Sequence, residues 1–511
     1  MFSVVELYGE INSAGQHDHH SPPGKTHYEA INAFLDYTIP GSTSVDLRWI
    51  DSMIETAAFQ TQVTGVTVAE CFRKLRYDPK PIPRNNIRSQ QYQPRSSSLR
   101  MQLATFEKRN FNYDNTLHHI PCEPVIDQLL DRFFLVYTRR EARPCTSPLI
   151  EPSVTSLLDW VQSRQPGNKR ALMTELEKKP LLQELLVKYN IMVKSDVKPK
   201  LDASVLSEVV SGQNIVYHKK IVNAIFSHVF QLAVERFKDM LKDNVLLYHG
   251  MDTKQFASAT HNILHRPLIE YYCAELDISK FDKSQNAFTK TFELNFYKRL
   301  GVPGDIVDMW ASTEFESSVI SSSGEFRCDI GSQRRSGSAT TWFGNTVISM
   351  MLCCLAVDIP ELKYMAFSGD DSLLLADDRF HINTTTVQDN YGFQCKPVYD
   401  AAPYFCSKYL IQTKEGSLAF VPDPYKLCVK LGSDLEDDEV LRREKFISFL
   451  DTTCDMNSEA TASQLAYYHQ RKYGPNPWVY CAVAAINSVR SNFSQYCRLW
   501  MIKGADSLTN V

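Results

Sequence analysis

The feature that most constrains the fold of this chain is a short acidic turn between two apolar segments. The tetrad Ser-Gly-Asp-Asp at 368–371 stands between the apolar runs 364–367 and 373–376. This pattern predicts a β-hairpin whose turn carries Asp370 and Asp371. Adjacent carboxylates between buried strands repel each other and are costly to desolvate unless a cation compensates them. Bound Mg²⁺ ions would do so, since Mg²⁺ prefers carboxylate and phosphate oxygens; the alternative is a solvated hairpin tip.

A second pair of carboxylates lies about a hundred residues upstream. Asp277 ends a predicted buried strand, and Asp282 follows it after a short turn. A strand end directs its last side chain into a cleft, where Asp277 could share a metal with Asp370. A pair of metals is the usual apparatus for transferring a nucleotidyl group. The alternative for Asp282 is a helix N-cap or first-turn acid.

A Gly-Ser loop that opens a predicted helix lies between these acidic groups. Ser336 and Gly337 belong to the loop, and Thr341 and Asn345 are four residues apart, so a helix places both on one face. Glycine lets backbone approach a nucleic-acid strand or a triphosphate closely. Asn345 could bind a sugar hydroxyl, or a neighbouring carboxylate that does so. Satisfied polar positions at a helix start are the alternative.

Two basic segments precede the acidic groups. Their lysines alternate with apolar residues, which predicts strands with one charged face. Such a face is either solvated or a wall that neutralises an incoming triphosphate. Further upstream, the basic and proline-rich stretch 73–100 is either a solvated linker or a strap that faces nucleic acid. The lysines of the two segments are Lys194, Lys198, Lys200, Lys219 and Lys220.

Bulk composition does not by itself indicate a nucleic-acid partner. The net charge is −4, so any basic surface must be local. The 13 cysteines include no Cys-x-x-Cys pair and fit neither a disulfide framework nor a zinc ribbon. The longest apolar run, 347–357, is too short to cross a bilayer, and no secretory signal is visible at the N-terminus.

Taken in order, these segments resemble the motifs of a viral polymerase. DISKFDKSQ, RRSGSATTWFGNTVISM and SGDDSLLL are similar to the A, B and C motifs of RNA-dependent RNA polymerases of the alphavirus-like supergroup, which includes bromo-, tobamo- and closteroviruses. KSDVKPKLD and QNIVYHKKIVNAIFS resemble its basic finger motif. CKPVYD, YFCSKYLI and DPYKLCVKLG resemble its D and E motifs and the approach to the thumb.

The resemblance implies an α+β right-hand fold with fingers, an antiparallel-sheet palm and a mostly helical thumb. The expected division is an N-terminal region with a basic linker at 1–110, fingers at 111–265, a palm at 266–419 with a finger insertion near 300–335, and a thumb at 420–511.

For the chemistry, the resemblance implies that Asp277 and Asp370 ligate two Mg²⁺ ions, with Asp371 assisting and with Mn²⁺ able to substitute. Lys396 aligns with the D-motif lysine, a general acid for pyrophosphate in this family. One departure is Gln394, two residues earlier, where relatives often place Glu, and the alternative for Lys396 is a surface lysine.

For the substrates, the resemblance implies that Asp282 and Asn345 sense the ribose hydroxyls. Ser336, Gly337 and Thr341 would shape the nucleotide and template pocket, and the five lysines named above would hold the triphosphate. The implied partners are RNA template and product, ribonucleoside triphosphates, and a viral helicase or capping replication protein. The implied location is the host cytoplasm, at membrane-associated replication complexes reached through partners.

Two rival functions fit parts of the same pattern. A reverse transcriptase shares the palm and the metals, but it usually carries a bulky residue where Asp282 stands and Tyr-x-Asp-Asp at the hairpin. A polymerase-like scaffold without catalysis would have no need to keep Asp277, Asp370 and Asp371 together.

Overall fold

The computed structural model describes residues 27–41, 66–68, 86–89, 98–110, 123–142, 148–178, 181–194, 212–315, 317–321, 324–399, 402–432 and 438–499. Within these ranges helices are combined with sheets whose strands pair mainly antiparallel, as the α+β expectation requires. The strands are β1 (Thr67–Val68), β2 (Lys188–Val193), β3 (Asn214–Tyr217), β4 (Val245–Leu247), β5 (Tyr272–Ile278), β6 (Ser317–Ser321), β7 (Phe326–Ile330), β8 (Leu362–Ser368), β9 (Asp371–Ala376), β10 (Cys395–Tyr399), β11 (Tyr404–Phe405), β12 (Lys408–Gln412) and β13 (Leu418–Pro422).

The helices lie both between the strands and after them. They are α1 (His27–Thr38), α2 (Leu99–Asn110), α3 (Glu123–Tyr137), α4 (Val154–Gln162), α5 (Pro166–Glu177), α6 (Leu182–Leu186), α7 (Lys220–Met240), α8 (Thr253–Ile263), α9 (Phe281–Ser284), α10 (Ala287–Leu300), α11 (Gly304–Ala311), α12 (Thr341–Ala356), α13 (Thr384–Tyr391), α14 (Pro424–Leu431), α15 (Glu439–Thr452), α16 (Glu459–Tyr473), α17 (Val479–Val489) and α18 (Phe493–Cys497). No helix in the described ranges is long and apolar enough to span a membrane.

A five-stranded sheet with the order β10-β5-β9-β8-β4 forms the centre of the molecule. The predicted hairpin is confirmed, since β8 and β9 pair antiparallel and Ser368 lies opposite Asp371. The hydrophobic core on one side of this sheet is built largely from α3, α7, α10 and α12. The sheet therefore holds the acidic turn at the end of two buried strands.

Helix α10 carries an aromatic stripe, Phe288, Phe292 and Phe296, whose four-residue spacing in the sequence predicts a helix face in the core. Phe288, Phe292 and Phe296 are at most 1% exposed, so the stripe is core and offers no stacking platform. The side chain of Asn286 caps the helix by accepting from the backbone of Thr289. Gly301, with φ of +97°, ends it.

A second sheet has the order β1-β7-β6-β2-β3 and includes a hairpin formed by β6 and β7. The strand prediction for the second basic segment was wrong beyond Tyr217, because Lys219 is the N-cap of α7 and Lys220 is its first residue. Val222, Phe226 and Val229 recur every three to four residues there and are buried, which is a helical period.

The part of the chain after β13 is mainly helical in the described ranges, as predicted from about residue 420. Helices α14, α16 and α17 share a second core with α1 and with the small sheet β11-β12-β13. Lys198 and Lys200, the other lysines of the first basic segment, lie outside the described residues.

Candidate active site

The acidic turn is a two-residue hairpin loop formed by Gly369 and Asp370. Gly369 has φ of +63°, a left-handed conformation that a side chain makes costly. Glycine at the first loop position is typical of a type II′ turn, whose twist suits paired strands. Asp370 and Asp371 are both exposed. The turn therefore presents two carboxylates to the solvent from the end of buried strands.

Helix α12 braces this turn from behind. The backbone N–H of Gly369 donates to Thr346 Oγ1 at 2.9 Å. Trp342 Nε1 donates to Ser368 Oγ at 3.0 Å, and the indole stacks on His249 with 4.2 Å between ring centroids. The hairpin and the helix that follows the Gly-Ser loop therefore form one supported unit.

Asp277 lies beside the turn because β5 pairs with β9. The paired residues run from Tyr272↔Ala376 to Ala274↔Leu374, and Leu276 N–H continues the contact by donating to Ser372 Oγ at 3.0 Å. The same register brings Asp277 to the level of Asp371. The structure thus places carboxylates that are 94 positions apart in sequence on neighbouring strand ends.

Lys396 is the direct partner of Asp277 on the other side, since β10 pairs with β5 at Lys396↔Asp277. Directly opposed residues of an antiparallel pair point to the same face of the sheet. Both side chains are exposed. A cation therefore stands next to the strand-end carboxylate.

Glu275 is a further acidic residue on this face, and the sequence analysis missed it. Burial, reinforced by the charges of Asp371 and Asp277, raises the pKa of Glu275, while Lys472 opposes the shift. Lys472 Nζ lies 3.7 Å from the Glu275 carboxylate. The two-residue spacing of Glu275 and Asp277 indicated a shared face, but nothing in the sequence pointed to Lys472 on α16.

The donor chemistry of this strand end suits a hard divalent cation, since Asp277, Asp370 and Asp371 offer only carboxylate oxygens. In the part of the chain that the structure describes, no group of three or more His, Cys, Asp or Glu side chains converges closely enough to hold a metal ion. The fit therefore rests on donor chemistry and on strand-end placement.

Asp282 and Asn345 are joined by a hydrogen bond, as the sequence analysis anticipated for a neighbouring carboxylate. Asn345 Nδ2 donates to Asp282 Oδ1 at 2.9 Å. Gln285 Nε2 donates to Asn345 Oδ1 at 2.7 Å and so fixes which way the Asn345 amide points. Gln285 was not predicted. This relay gives the half-buried Asp282 carboxylate an oriented amide donor, and the charge of Arg109 also acts on it.

The loop before α12 is tied to strand β3. Ser336 Oγ accepts from Val216 N–H at 3.2 Å, and Gly337 N–H donates to Val216 O at 2.8 Å. A Cβ on Gly337 would lie 2.7 Å from Ile215 Cγ2, so the close approach requires glycine. Thr341 uses its hydroxyl within the loop, donating to Arg335 O at 2.7 Å.

A cavity of about 260 Å³ opens beside this loop. Lys220, Gly337 and Ser338 are part of its wall, together with Lys169 of α5 and Arg164, which follows α4. Lys219 is exposed next to Lys220, whereas Lys194 is half-buried at the end of β2. The structure therefore brings one of the predicted lysines, Lys220, to the Gly-Ser loop.

Comparison with known proteins places these features in a family. The family described as "RNA dependent RNA polymerase" matches residues 56–499. The chain is 37% identical over 477 residues to the replicase polyprotein 1ab of Grapevine leafroll-associated virus 3, covering 93% of this chain and 17% of the polyprotein. It is 34% identical over 489 residues to replicase polyprotein 1ab of Beet yellows virus, covering 93% of the chain and 16% of the polyprotein. The replicase large subunit of Tobamovirus Ob is 29% identical over 456 residues, covering 85% and 27%.

Proposed function

The chain belongs to the RNA-dependent RNA polymerase family of alphavirus-like positive-strand viruses, and from this membership we propose that it synthesises RNA on an RNA template from ribonucleoside triphosphates. The observation that carries the proposal is the register of β5 with β9, which places Asp277 and Asp371 on neighbouring strand ends. The Asp282–Asn345 hydrogen bond lies beyond the end of the same strand β5. The chain spans about a sixth of the two polyproteins named above, so its role in replicating a viral genome is part of the proposal.

In this proposal Asp277 and Asp370 hold two Mg²⁺ ions and Asp371 assists. When bound, the ions neutralise phosphate charge and make a hydroxyl more acidic. Mn²⁺, which also takes oxygen ligands, is the proposed substitute. The three carboxylates provide oxygen ligands, and the braced turn keeps two of them at the end of β8 and β9.

The remaining site residues bind and orient the substrates. Asp282, oriented by Asn345, accepts from the ribose hydroxyls of the incoming nucleotide. Ser336, Gly337 and Thr341 shape the loop past which nucleotide and template run. Lys396, paired with Asp277 in the sheet, donates a proton from Nζ to the leaving pyrophosphate.

The basic segments neutralise the triphosphate in this proposal. Arg and Lys side chains form charge-assisted hydrogen bonds with phosphate oxygens. The position of Lys220 beside the Gly-Ser loop supports its part in this role. The proposed set is Lys194, Lys198, Lys200, Lys219 and Lys220.

The proposed architecture is a right hand. The central sheet would be the palm (266–419), the region 111–265 the fingers, 420–511 the thumb, and 1–110 an N-terminal region with a basic linker. Support for a finger insertion near 300–335 comes from β6 and β7, which pair with β2 and β1 in place of the central sheet.

The proposed partners are RNA template and product and a helicase or capping replication protein. One relative, from Raspberry bushy dwarf virus, is named methyltransferase/helicase/RNA-directed RNA polymerase, which supports such a partner. We place the protein in the host cytoplasm, with membrane association through partners.

Incorporation of labelled nucleotides on a defined RNA primer–template tests the proposal. Asp370→Asn should reduce Mg²⁺-dependent incorporation at least about a hundredfold, because several kcal/mol of transition-state stabilisation depend on the metal ligands. RNA binding, measured by filter retention, should change less than about threefold. Asp378→Asn is the matched control, since Asp378 is an exposed acid beyond the far end of β9.

The outcome that refutes the metal assignment is a folded Asp370→Asn protein that extends primer at nearly the wild-type rate. A wild-type protein that incorporates deoxyribonucleotides as well as ribonucleotides would instead refute the assignment of RNA as product.

A further inference from the structure

Behind the Gly-Ser loop lies a group of five buried charged side chains that the proposed reaction does not use. They come from α10, from the segment after α11, and from the two residues that precede Ser336. Each is at most 2% exposed as a residue. We call this group the buried ion network: Lys290, Glu293, Glu314, Arg334 and Arg335.

The centre of the buried ion network is a two-pronged pair. Arg334 Nη2 donates to Glu293 Oε2 at 2.6 Å, and Nη1 donates to Glu293 Oε1 at 3.1 Å. Tyr297 OH also donates to Glu293 Oε1, at 2.7 Å. Burial would raise the pKa of Glu293, but Arg334 and Lys290 together hold it at about 2, so the carboxylate is ionised. A bidentate pair of this kind fixes direction as well as distance.

The other members extend the network to both sides. Lys290 pairs with Glu314 and lies 3.5 Å from Glu293 Oε2. Arg335 Nη1 donates to Glu314 O and Nη2 donates to Ser317 Oγ, each at 2.8 Å. The two arginines before the loop are thus held by different elements, Arg334 by α10 and Arg335 by the start of β6.

The network reaches the proposed substrate residues through three contacts. Arg334 N–H donates to the backbone oxygen of Asp282 at 3.0 Å. Arg335 O accepts from Thr341 Oγ1 at 2.7 Å. Gly344, the neighbour of Asn345, packs so closely that a Cβ there would lie within 2.6 Å of both terminal nitrogens of Arg334.

Buried ion pairs contribute little to stability, because desolvation offsets most of their attraction and apolar side chains of the same volume stabilise the fold equally well. Unlike apolar packing, however, a bidentate ion pair fixes the direction in which its partners approach each other. Here the geometry links the two halves of the Asp282–Asn345 pair, since Arg334 touches the backbone of Asp282 and the helix turn that carries Asn345.

We propose that Arg334 and Glu293 are positioning residues that hold Asp282 and Asn345 in register and thereby set the preference for ribonucleotides over deoxyribonucleotides. The inference rests on the proposed function of this site. When the pair is weakened, Asp282 shifts relative to Asn345 and the ribose hydroxyls lose their acceptor. The hairpin turn has hydrogen bonds of its own, from Gly369 N–H to Thr346 Oγ1 and from Trp342 Nε1 to Ser368 Oγ.

Steady-state incorporation of matched ribo- and deoxyribonucleotides by wild-type and variant proteins tests the proposal. Arg334→Lys keeps the charge but loses the two-pronged contact. Gly344→Ala keeps every charged group but places a Cβ within 2.6 Å of Glu293 Oε1 and of both terminal nitrogens of Arg334, so the pair must shift. Both should raise the KM for ribonucleotides and lower the ratio of ribo to deoxy kcat/KM at least about tenfold. A displacement of reacting groups near 1 Å can lower the reaction rate by up to about a hundredfold.

Arg299→Lys is the matched control. Arg299 lies on the same helix α10 and pairs with Asp127 at 3.0 Å on the surface. This variant should leave the ratio unchanged. Active enzyme is counted by the single-turnover burst, so that loss of folded protein does not enter the ratio.

Equal losses for ribo- and deoxyribonucleotides in Arg334→Lys and Gly344→Ala, with unchanged KM, would overturn the inference and leave a purely structural network. If Arg334→Lys fails to fold, the ratio of ribo to deoxy kcat/KM is measured in Gly344→Ala and Glu293→Gln, and the same outcomes apply. A wild-type protein without incorporation would overturn the proposed function, and the inference with it, so the two failures are distinguishable.

Discussion

Replacing Asn345 by aspartate tests the hydrogen-bond relay at the candidate site. The side chains have the same shape, but Asn345→Asp exchanges the donor that faces Asp282 Oδ1 at 2.9 Å for a carboxylate oxygen. Gln285 already donates to the other oxygen of residue 345 at 2.7 Å, so the new carboxylate has no reason to rotate away. Two acidic groups then face each other across a contact that was a hydrogen bond.

The size of the expected loss of activity follows from the distance between the two facing side-chain atoms. Two unit charges 2.9 Å apart repel by about 6 kcal/mol at an effective dielectric constant near 20. Placing a proton between them avoids the repulsion, and for a carboxyl of ordinary pKa, about 4, this costs about 5 kcal/mol at pH 8 and about 3 kcal/mol at pH 6. Protonation is therefore the cheaper route, and it becomes cheaper as the pH falls.

The assay is ribonucleotide incorporation by Asn345→Asp relative to wild type between pH 6 and pH 8. We expect a loss of about three to four orders of magnitude at pH 8, and a ratio that recovers about tenfold for each pH unit of acidification. Asn345→Ala, which removes the hydrogen bond without adding charge, should show a smaller loss that does not vary with pH.

A flat ratio for Asn345→Asp between pH 6 and pH 8 would refute this reasoning. It would mean that Asp282 and the side chain at 345 do not meet in the working enzyme. A variant more active at pH 8 than Asn345→Ala would refute it as well.

Three other substitutions test the support of the site and the C-terminal core. Thr346→Val leaves the buried N–H of Gly369 without its acceptor, so the free energy of unfolding in urea should fall by about 1–3 kcal/mol; an unchanged value would contradict the brace. Gly369→Ala meets no steric clash but must keep φ of +63°, and should cost about 1–2 kcal/mol in the same measurement, more than Gly369→Asn. Burial lowers the pKa of His469 to about 4, so the unfolded state binds an extra proton between pH 6.5 and 4 and the free energy of unfolding falls on acidification. His469→Phe should remove about 2 kcal/mol of the fall between pH 7 and pH 5. Identical dependence of the free energy of unfolding on pH in wild type and variant would rule this out.

The local structure around the site was readable from the sequence. Apolar runs on both sides of a Gly-Asp turn predicted the β8–β9 hairpin, and the four-residue spacing of Phe288, Phe292 and Phe296 predicted α10 as a core helix. Lys219 and Lys220 are the exception. Their alternation with apolar residues over a few positions favoured a strand, while the helical period becomes visible only over the longer span of α7.

By itself, the sequence determined which chemical groups the candidate site has and in which order the chain presents them. Asp277, Asp282, Asn345 and Asp370 were predicted as site residues from residue type, spacing and local periodicity, all of which act over a few residues. Family membership also follows from the sequence, since the family matches residues 56–499.

Only the tertiary structure decided which of these groups meet. Sheet register between distant segments places Asp277 level with Asp371 and pairs Lys396 with Asp277. Helix packing brings Lys472 close to Glu275. The bidentate contact of Arg334 with Glu293 depends on them too. Register and packing are set by the burial of whole faces, a cooperative property of the folded chain that no short pattern contains.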